Sequence, residues 1–326
     1  MIIDLFGDNW AISVPAKINL FLEVLGKRPD GYHSVQTIMS SVNLVDQLIF
    51  TPRNDDRVTV KVVPFDSEGF KILSPTDSAW DIPEDNGNLV SRALLALQAR
   101  LGERSGIDVQ LRKSIPSLAG LGGGSADAAA ALLGGMLTWS GNYNHTVGMN
   151  LAAELGSDIN FFLETAHSGN SVASCSGRGE VVDPIKSSYI FSFVIVHPPQ
   201  GCSTKAVFDQ LAGGGSEMIP IKKPFETMEA IVEGDHDRLG KTLWNRLTGP
   251  AMDLNPHLKV IDSFLETANG VRGHALSGSG SAMFALMENR HQAENLVKEL
   301  REKNLWRAYY VSTWQSGKIS EQLAAF

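Results

Sequence analysis

Between Ser114 and Leu133 the chain reads Ser-Ile-Pro-Ser-Leu-Ala-Gly-Leu-Gly-Gly-Gly-Ser-Ala-Asp-Ala-Ala-Ala-Ala-Leu-Leu, and few backbones accommodate it. Pro116 leads a turn into Gly120 and the run Gly122 to Gly124. Glycines lift the Cβ barrier to unusual φ/ψ and let a ligand approach the main chain closely. The run from Ala128 to Leu133 is made of the strongest helix formers. A helix starting here leaves unpaired N–H groups and the positive end of its dipole at the glycines, which is a seat for an anion, most often phosphate. The alternative is a tight turn before an ordinary core helix capped by Ser125 or Asp127. Four glycines within five residues lose too much chain entropy on folding for a plain turn, so phosphate binding is the stronger reading.

Two common nucleotide motifs fail against this stretch. A Walker loop ends in Gly-Lys followed by Ser or Thr, and no lysine follows Gly124 until far downstream. A Rossmann fingerprint forced onto Gly120 to Ser125 wants an acidic residue about 20 positions on for the ribose, but residues 128–153 hold no Asp or Glu.

The flanking chain gives the loop a setting. Residues 107–113 read as a strand delivering the chain to the glycines, so the local order is strand, glycine turn, helix. Residues 13–25 read as a strand with Val14, Ala16, Ile18, Leu20, Leu22 and Val24 on one face; Lys17 and Asn19 then share the other face with Pro15, Phe21 and Glu23. A turn is expected over 26–31, strands over 44–51 and 57–64, and a loop over 66–87. Residues 88–100 predict a helix capped by Asn88 and closed by Gly102, and residues 147–155 a second one stopped by Gly156. The small, polar run 169–183 is the expected seam between domains. Beyond it the pattern predicts strands at 189–197, 271–276, 282–287 and 306–313. Helices are expected within 201–215 and at 227–231, 238–247, 258–267 and 290–303. A second small-residue loop, Ser277-Gly-Ser-Gly-Ser281, separates two of those strands.

Composition narrows the partners. The 326 residues suffice for one large or two medium domains. A net charge of −8 without long like-charge blocks argues against nucleic acid as the main partner, while one local basic group suffices for a phosphorylated small molecule. Only Cys175 and Cys202 are present, too few for a disulfide framework or structural zinc set, which fits a reducing cytoplasm. The N-terminus lacks a secretory signal pattern, and no apolar run approaches the length of a membrane span. Lys17, the Ser125 loop, Asp158 after a helix, and the Ser277 loop are then the parts phosphoryl transfer needs: a phosphate cradle, a cation, and a carboxylate to act on the attacking hydroxyl. Mg²⁺ held by oxygen ligands would complete them.

These residues carry a resemblance. Pro15-Ala-Lys-Ile-Asn-Leu, Pro116-Ser-Leu-Ala-Gly-Leu-Gly-Gly-Gly-Ser-Ala-Asp-Ala-Ala and Ser277-Gly-Ser-Gly-Ser resemble the three motifs of the galactokinase–homoserine kinase–mevalonate kinase–phosphomevalonate kinase (GHMP) superfamily. Lys27-Arg-Pro-Asp-Gly-Tyr-His33, Leu155-Gly-Ser-Asp-Ile-Asn-Phe-Phe162, Arg178-Gly-Glu180 and His197-Pro198 are similar to its branch that phosphorylates the 2-hydroxyl of a cytidine diphosphate-linked methylerythritol in the non-mevalonate route to isoprenoids. The likeness spans residues 13 to 300 or so.

The resemblance implies an α+β, two-domain GHMP kinase fold. A ribosomal protein S5 domain 2-like N-terminal domain (1–169) would bind ATP, and a ferredoxin-like C-terminal domain (170–326) would lie on the substrate side, with the site in the cleft between them. It implies ATP and Mg²⁺, a small-molecule substrate carrying a cytidine diphosphate group, no nucleic acid or membrane partner, a monomer or homodimer, and no dedicated metal-ligand set. By position, Asp158 matches the general base and Lys17 its partner. Pro116, Ser117, Leu118, Ala119, Gly120, Leu121, Gly122, Gly123, Gly124, Ser125 and Ala126 match the ATP phosphate loop. Tyr32 and Phe208 match aromatics that sandwich cytosine, His33 a hydrogen-bonding partner of its edge, and Asn19 a polar substrate contact. Asn160 stands where the pattern usually has proline, Met39 where it commonly has an aromatic, and the 55–85 stretch is longer than usual.

Overall fold

The computed structural model describes residues 1–64, 82–213, 220–303 and 306–326. The loop expected over 66–87 falls among them only from residue 82, and the 55–85 stretch lies largely outside them.

Two sheets organise the chain. The first contains β1 (Ile2–Phe6), β2 (Asn9–Lys27), β3 (His33–Pro52), β4 (Val58–Pro64) and β5 (Ile107–Lys113) in the order β1-β2-β3-β5-β4. The long β2–β3 hairpin is antiparallel, and β4 pairs β5 in parallel. The hairpin is longer than expected because polar residues hide its start: Ser34, Gln36, Thr37, Ser40 and Ser41 lie on β3 where no hydrophobic alternation marks a strand. Strict alternation also fails on β2. Ala16 to Leu22 are all buried, and the register shifts between Pro15 and Ala16 and between Asn19 and Phe21. A strand covered on both faces has no solvent side to mark with polar residues.

Against this sheet pack α1 (Leu89–Leu101), α2 (Gly123–Ser140), α3 (His145–Leu155) and α4 (Ile159–Ser168). The α1 boundaries follow the sequence signals: Asn88 Oδ1 accepts the Val90 N–H at 2.9 Å, and Gly102 closes the helix in the left-handed region. The α2 helix is buried almost all round, and each buried leucine on it contributes about 2–3 kcal/mol.

The 169–183 run, expected as the seam, instead forms β6 (Val172–Ser176) and leads into β7 (Val181–Ile185). The former pairs β3 and the latter pairs β6, so this sheet continues past residue 170. Small side chains fill β6 (Val-Ala-Ser-Cys-Ser) where it pairs β3, which is why this stretch reads as a linker in the sequence.

The second sheet is β8 (Ser192–His197), β10 (Val271–Leu276), β11 (Met283–Met287) and β12 (Arg307–Ser312), all antiparallel, in the order β10-β11-β8-β12. Renumbered within the sheet from the far edge, that is 4-1-3-2, the ferredoxin-like order. Between β8 and β10 come α5 (Thr204–Gly213), α6 (Phe225–Glu233), α7 (His236–Thr242), β9 (Trp244–Asn245), α8 (Thr248–Leu254) and α9 (His257–Thr267); α10 (Arg290–Glu302) crosses from β11 to β12, and α11 (Ile319–Leu323) ends the chain. The helix expected over 238–247 stops at Thr242 because Leu243 turns extended (φ −56°, ψ 130°), and Trp244 and Asn245 join the first sheet beside Phe21 and Leu22. Arg246 seals that junction on the buried Glu23 carboxylate, with Nε–Oε1 at 2.6 Å.

Candidate active site

Lys17 is 3% exposed on β2, and a buried ammonium persists only with partners. It donates to Asn19 Oδ1 at 2.6 Å and faces Asp158 Oδ2 at 3.5 Å. Asp158 stands at the N-cap of α4 but makes no capping hydrogen bond. Its carboxylate is directed to Lys17 and remains about one-third exposed. The pairing that the resemblance implied is thus a contact between two elements far apart in sequence.

The glycine stretch lies directly over Lys17. The Lys17 backbone N–H donates to Leu121 O at 2.9 Å. Gly122 is the N-cap of α2 at φ +72°, and a Cβ there would sit 2.9 Å from Lys17 Cγ and 3.1 Å from Phe162 Cζ. Neither Ser125 nor Asp127 caps α2; no side chain among the described residues does. The first-turn N–H groups therefore remain available to an anion. The loop is open on its outer side, since a Cβ on Gly124 would meet nothing within 4 Å. Pro116 and Ala119 are buried beneath it, and Leu118 projects outward.

The Ser277–Ser281 loop docks on the glycine loop from the second sheet. Ser277 Oγ donates to Gly120 O at 2.9 Å, and the Ala282 N–H donates to Ala119 O at 2.9 Å. The contact is close enough that a Cβ on Gly120 would fall 2.0 Å from Ser277 O. Gly278 approaches Lys17 itself, its Cβ position lying 3.2 Å from Nζ. Asn245 holds this loop by donating Nδ2 protons to the carbonyls of Leu276 and Gly278, each at 2.7 Å. The three motifs thus converge on one lysine.

Asp127 points inward. It pairs with Lys113 Nζ at 2.8 Å, and Lys113 also pairs with Asp46, all three side chains being buried. Asp46 Oδ1 accepts the N–H groups of Ser114 (2.6 Å) and Ile115 (2.9 Å). This triad fastens the start of the glycine stretch to α2. Burial pushes the Asp127 carboxyl well above the usual carboxylate range; Lys113 opposes that shift and Asp46 reinforces it.

The aromatics pair differently from a preformed sandwich. His33 stacks on Phe208, with centroids 4.8 Å apart and planes at 28°. Tyr32 is exposed and lies under the Arg178 guanidinium, 4.9 Å from its ring centroid. Arg178 is held by the Ala153 carbonyl at 3.1 Å and by Glu180. Gly179 passes beside the Asp158 carboxylate, its Cβ position 3.7 Å from Oδ1. The Arg178–Glu180 turn therefore links the Tyr32 edge to Asp158. Asn160 is buried and donates to Met149 O at 3.1 Å, while Met39 lies in the core. Thr37, Asn245, Lys113 and Asp46 went unread in the sequence because each acts through contacts with distant segments.

The fold and the converging loops define a small-molecule kinase of the GHMP type. Residues 88–178 match the GHMP kinases N terminal domain and residues 227–304 match GHMP kinases C terminal. The first range holds the glycine loop and Asp158, the second Asn245 and the Ser277 loop.

The chain is 36% identical to 4-diphosphocytidyl-2-C-methyl-D-erythritol kinase of Pelotomaculum thermopropionicum over 88% of its length and 92% of the relative's. It is 32% identical to the same-named kinase of Listeria monocytogenes serotype 4a over 94% and 97%. A crystal structure of 4-(cytidine 5'-diphospho)-2C-methyl-D-erythritol kinase superposes with a TM-score of 0.73 at 29% identity, covering 94% of this chain and all of the other. Homoserine kinase from Cytophaga hutchinsonii shares the fold at a TM-score of 0.70 and 17% identity, covering 98% of each chain. The chain belongs to the 4-diphosphocytidyl-2-C-methyl-D-erythritol kinase family of GHMP kinases.

Proposed function

We propose that the chain transfers the γ-phosphoryl group of ATP to the 2-hydroxyl of 4-diphosphocytidyl-2-C-methyl-D-erythritol in non-mevalonate isoprenoid precursor biosynthesis. The carrying observation is the Asp158 carboxylate facing Lys17 at 3.5 Å beside the uncapped N-terminus of α2. In this reading the loop of residues 116–126 cradles the ATP phosphates, with the free N–H groups at the start of α2 directed at them. Asp158 accepts the proton of the 2-hydroxyl as its oxygen attacks phosphorus in line, and the Lys17 ammonium offsets the charge that develops there. Tyr32 and Phe208 take the cytosine ring and His33 its edge, which requires Phe208 to exchange its present stack on His33 for the base. Asn19, already engaged with Lys17 and Thr37, retains one N–H and one lone pair for a substrate hydroxyl.

Mg²⁺ belongs to the proposal as a companion of ATP. No group of three or more His, Cys, Asp or Glu side chains that could hold a metal occurs among the described residues. Mg²⁺ commonly keeps several waters and takes one or two protein oxygens besides the phosphates. The Ser125 hydroxyl on the first turn of α2 suits that demand. When bound, the ion neutralises charge on the β- and γ-phosphate oxygens. Two free, buried cysteines support placing the protein in a reducing cytoplasm.

The experiment is ADP release by the purified protein with MgATP and a panel of alcohols: the diphosphocytidyl methylerythritol, homoserine and mevalonate. Phosphorus NMR should locate the new phosphate on the 2-oxygen of the first. Turnover of homoserine or mevalonate without turnover of the cytidyl compound would refute the assignment.

A further inference from the structure

Behind the reacting pair runs a chain of buried hydrogen bonds whose direction is fixed. Thr37 Oγ1 donates to the Phe21 carbonyl at 2.6 Å. A carbonyl only accepts and a hydroxyl has one proton, so that proton is committed. Toward Asn19, 2.9 Å away, Thr37 can then only accept, and the donor must be Asn19 Nδ2. This fixes which way the Asn19 amide faces: Oδ1 must lie opposite, where it receives Lys17 Nζ at 2.6 Å. Lys17 in turn faces Asp158. Thr37, Asn19 and Lys17 are each at most 3% exposed, so no bulk water competes for these groups. The anchor also sits at an irregularity: the β2–β3 register shifts between Asn19 and Phe21, leaving Leu20 as the extra residue.

We infer that Thr37 is a positioning residue for phosphoryl transfer, fixing the Asn19 amide so that Lys17 is held toward Asp158. Without the Thr37 hydroxyl the amide can rotate by half a turn and present its NH₂ group to an ammonium. Lys17 would then be displaced from the carboxylate, and misplacement of a reacting group by about 1 Å can lower the rate about a hundredfold. The inference rests on the assignment of Lys17 and Asp158 as the reacting pair.

The test is steady-state kinetics on the full-length chain with MgATP and the diphosphocytidyl methylerythritol, for Thr37→Val, Thr37→Ser, Asn19→Ala, Asn19→Ala with Thr37→Val, and Asp158→Asn. Thr37→Val, close in volume but without the hydroxyl, should lower kcat about tenfold to a hundredfold with both KM values within about threefold. Thr37→Ser should recover most of the lost kcat. In the Asn19→Ala background Thr37→Val should add less than about twofold, because the group it orients is gone.

A Thr37→Val kcat within about twofold of the parent, an undiminished effect in the Asn19→Ala background, or a Thr37→Ser variant as impaired as Thr37→Val would overturn the inference. Thermal melting verifies folding, and Thr37→Ala is judged by the same criteria if the valine variant does not fold. Full activity of Asp158→Asn overturns the assignment of the reacting pair; an inactive Asp158→Asn beside a fully active Thr37→Val overturns only the role of Thr37.

Discussion

Asp158 occupies the N-cap of α4 yet gives its carboxylate to Lys17, 3.5 Å away, rather than to the helix. A capping aspartate is worth about 1 kcal/mol, and here that contribution is forgone at the residue that faces the buried ammonium. Asp158→Asn should therefore lower kcat about 10²- to 10⁴-fold while the Kd for ATP, measured by calorimetry, changes by less than about threefold. Retained turnover would sink the role of the carboxylate.

Asn245 is the support of the third motif. Asn245→Ala removes two hydrogen-bond donors from the buried carbonyls of Leu276 and Gly278. Stability in urea should fall by about 2–3 kcal/mol. The ATP concentration for half-maximal rate should rise as the loop loses its hold near Lys17. Unchanged stability and kinetics would mean that the loop is held by its glycine-loop contacts alone.

The buried triad predicts an asymmetry. Asp127 has its carboxyl pushed well above the usual range and one oxygen without a partner among the described residues, whereas Asp46 serves Lys113 and two backbone N–H groups. A neutral amide mimics a protonated acid. Ionisation of the unfolded chain's aspartate above about pH 4 opposes folding where the folded group's carboxyl is raised. Asp127→Asn should thus cost less stability at pH 7 than Asp46→Asn, which should lose about 3 kcal/mol or more. Equal losses in urea titrations would contradict the asymmetry.

His197 sets a pH dependence of stability. Burial lowers its imidazole from the usual 6.5 to about 4, and neither ring nitrogen has a partner among the described residues. Between those values the unfolded chain binds the proton and the folded chain does not. Stability from this residue is therefore complete above about pH 6.5, lost as pH falls toward 4, and constant below. The loss at pH 5 is about 2 kcal/mol. Urea midpoints at pH 7 and pH 5 should converge in His197→Phe relative to the parent; an identical slope in both would exclude His197 as the source.

The proposal places acceptor specificity on the aromatic edge. Tyr32→Ala or Phe208→Ala should raise KM for the cytidyl substrate about 5- to 150-fold, the span of one stacking contact, and leave KM for ATP within about twofold. A cytidyl KM that does not move would remove the cytosine contacts from the proposal.

What the sequence disclosed is what acts locally. The turn at Gly122, the Asn88 cap and the Gly102 stop are written in adjacent residues, and all three stand where they were expected. The shared face of Lys17 and Asn19 was legible because two residues on a strand return to one side. The bond from Asn19 to Thr37 closes across 18 positions and that from Asn245 to Gly278 across 33, and no periodicity signals either. Thr37 and Ser40 obscured the start of β3 because a strand bordering a polar site carries hydroxyls where a core strand carries valines. The β9 pair was hidden by its neighbours, since Trp244 and Asn245 continue a helical pattern until Leu243 turns the chain out.

The threading of β2 has a consequence for how the molecule comes apart. Ile12 and Val14 belong to the apolar cluster beneath α2, Ala16 to Phe21 supply that between the sheets, and Leu22 joins the cluster packed by α9 and α10. Both sheets lose part of their interior when this strand leaves, so they should melt together, and a single calorimetric transition is the expected result. Fraying of termini or surface helices leaves the strand in place. The amide of Lys17, midway along it, should exchange with deuterium only as fast as the whole protein opens. Lys17 is thereby tied to global stability, and molecules that have lost only an outer helix should keep the glycine loop seated over it.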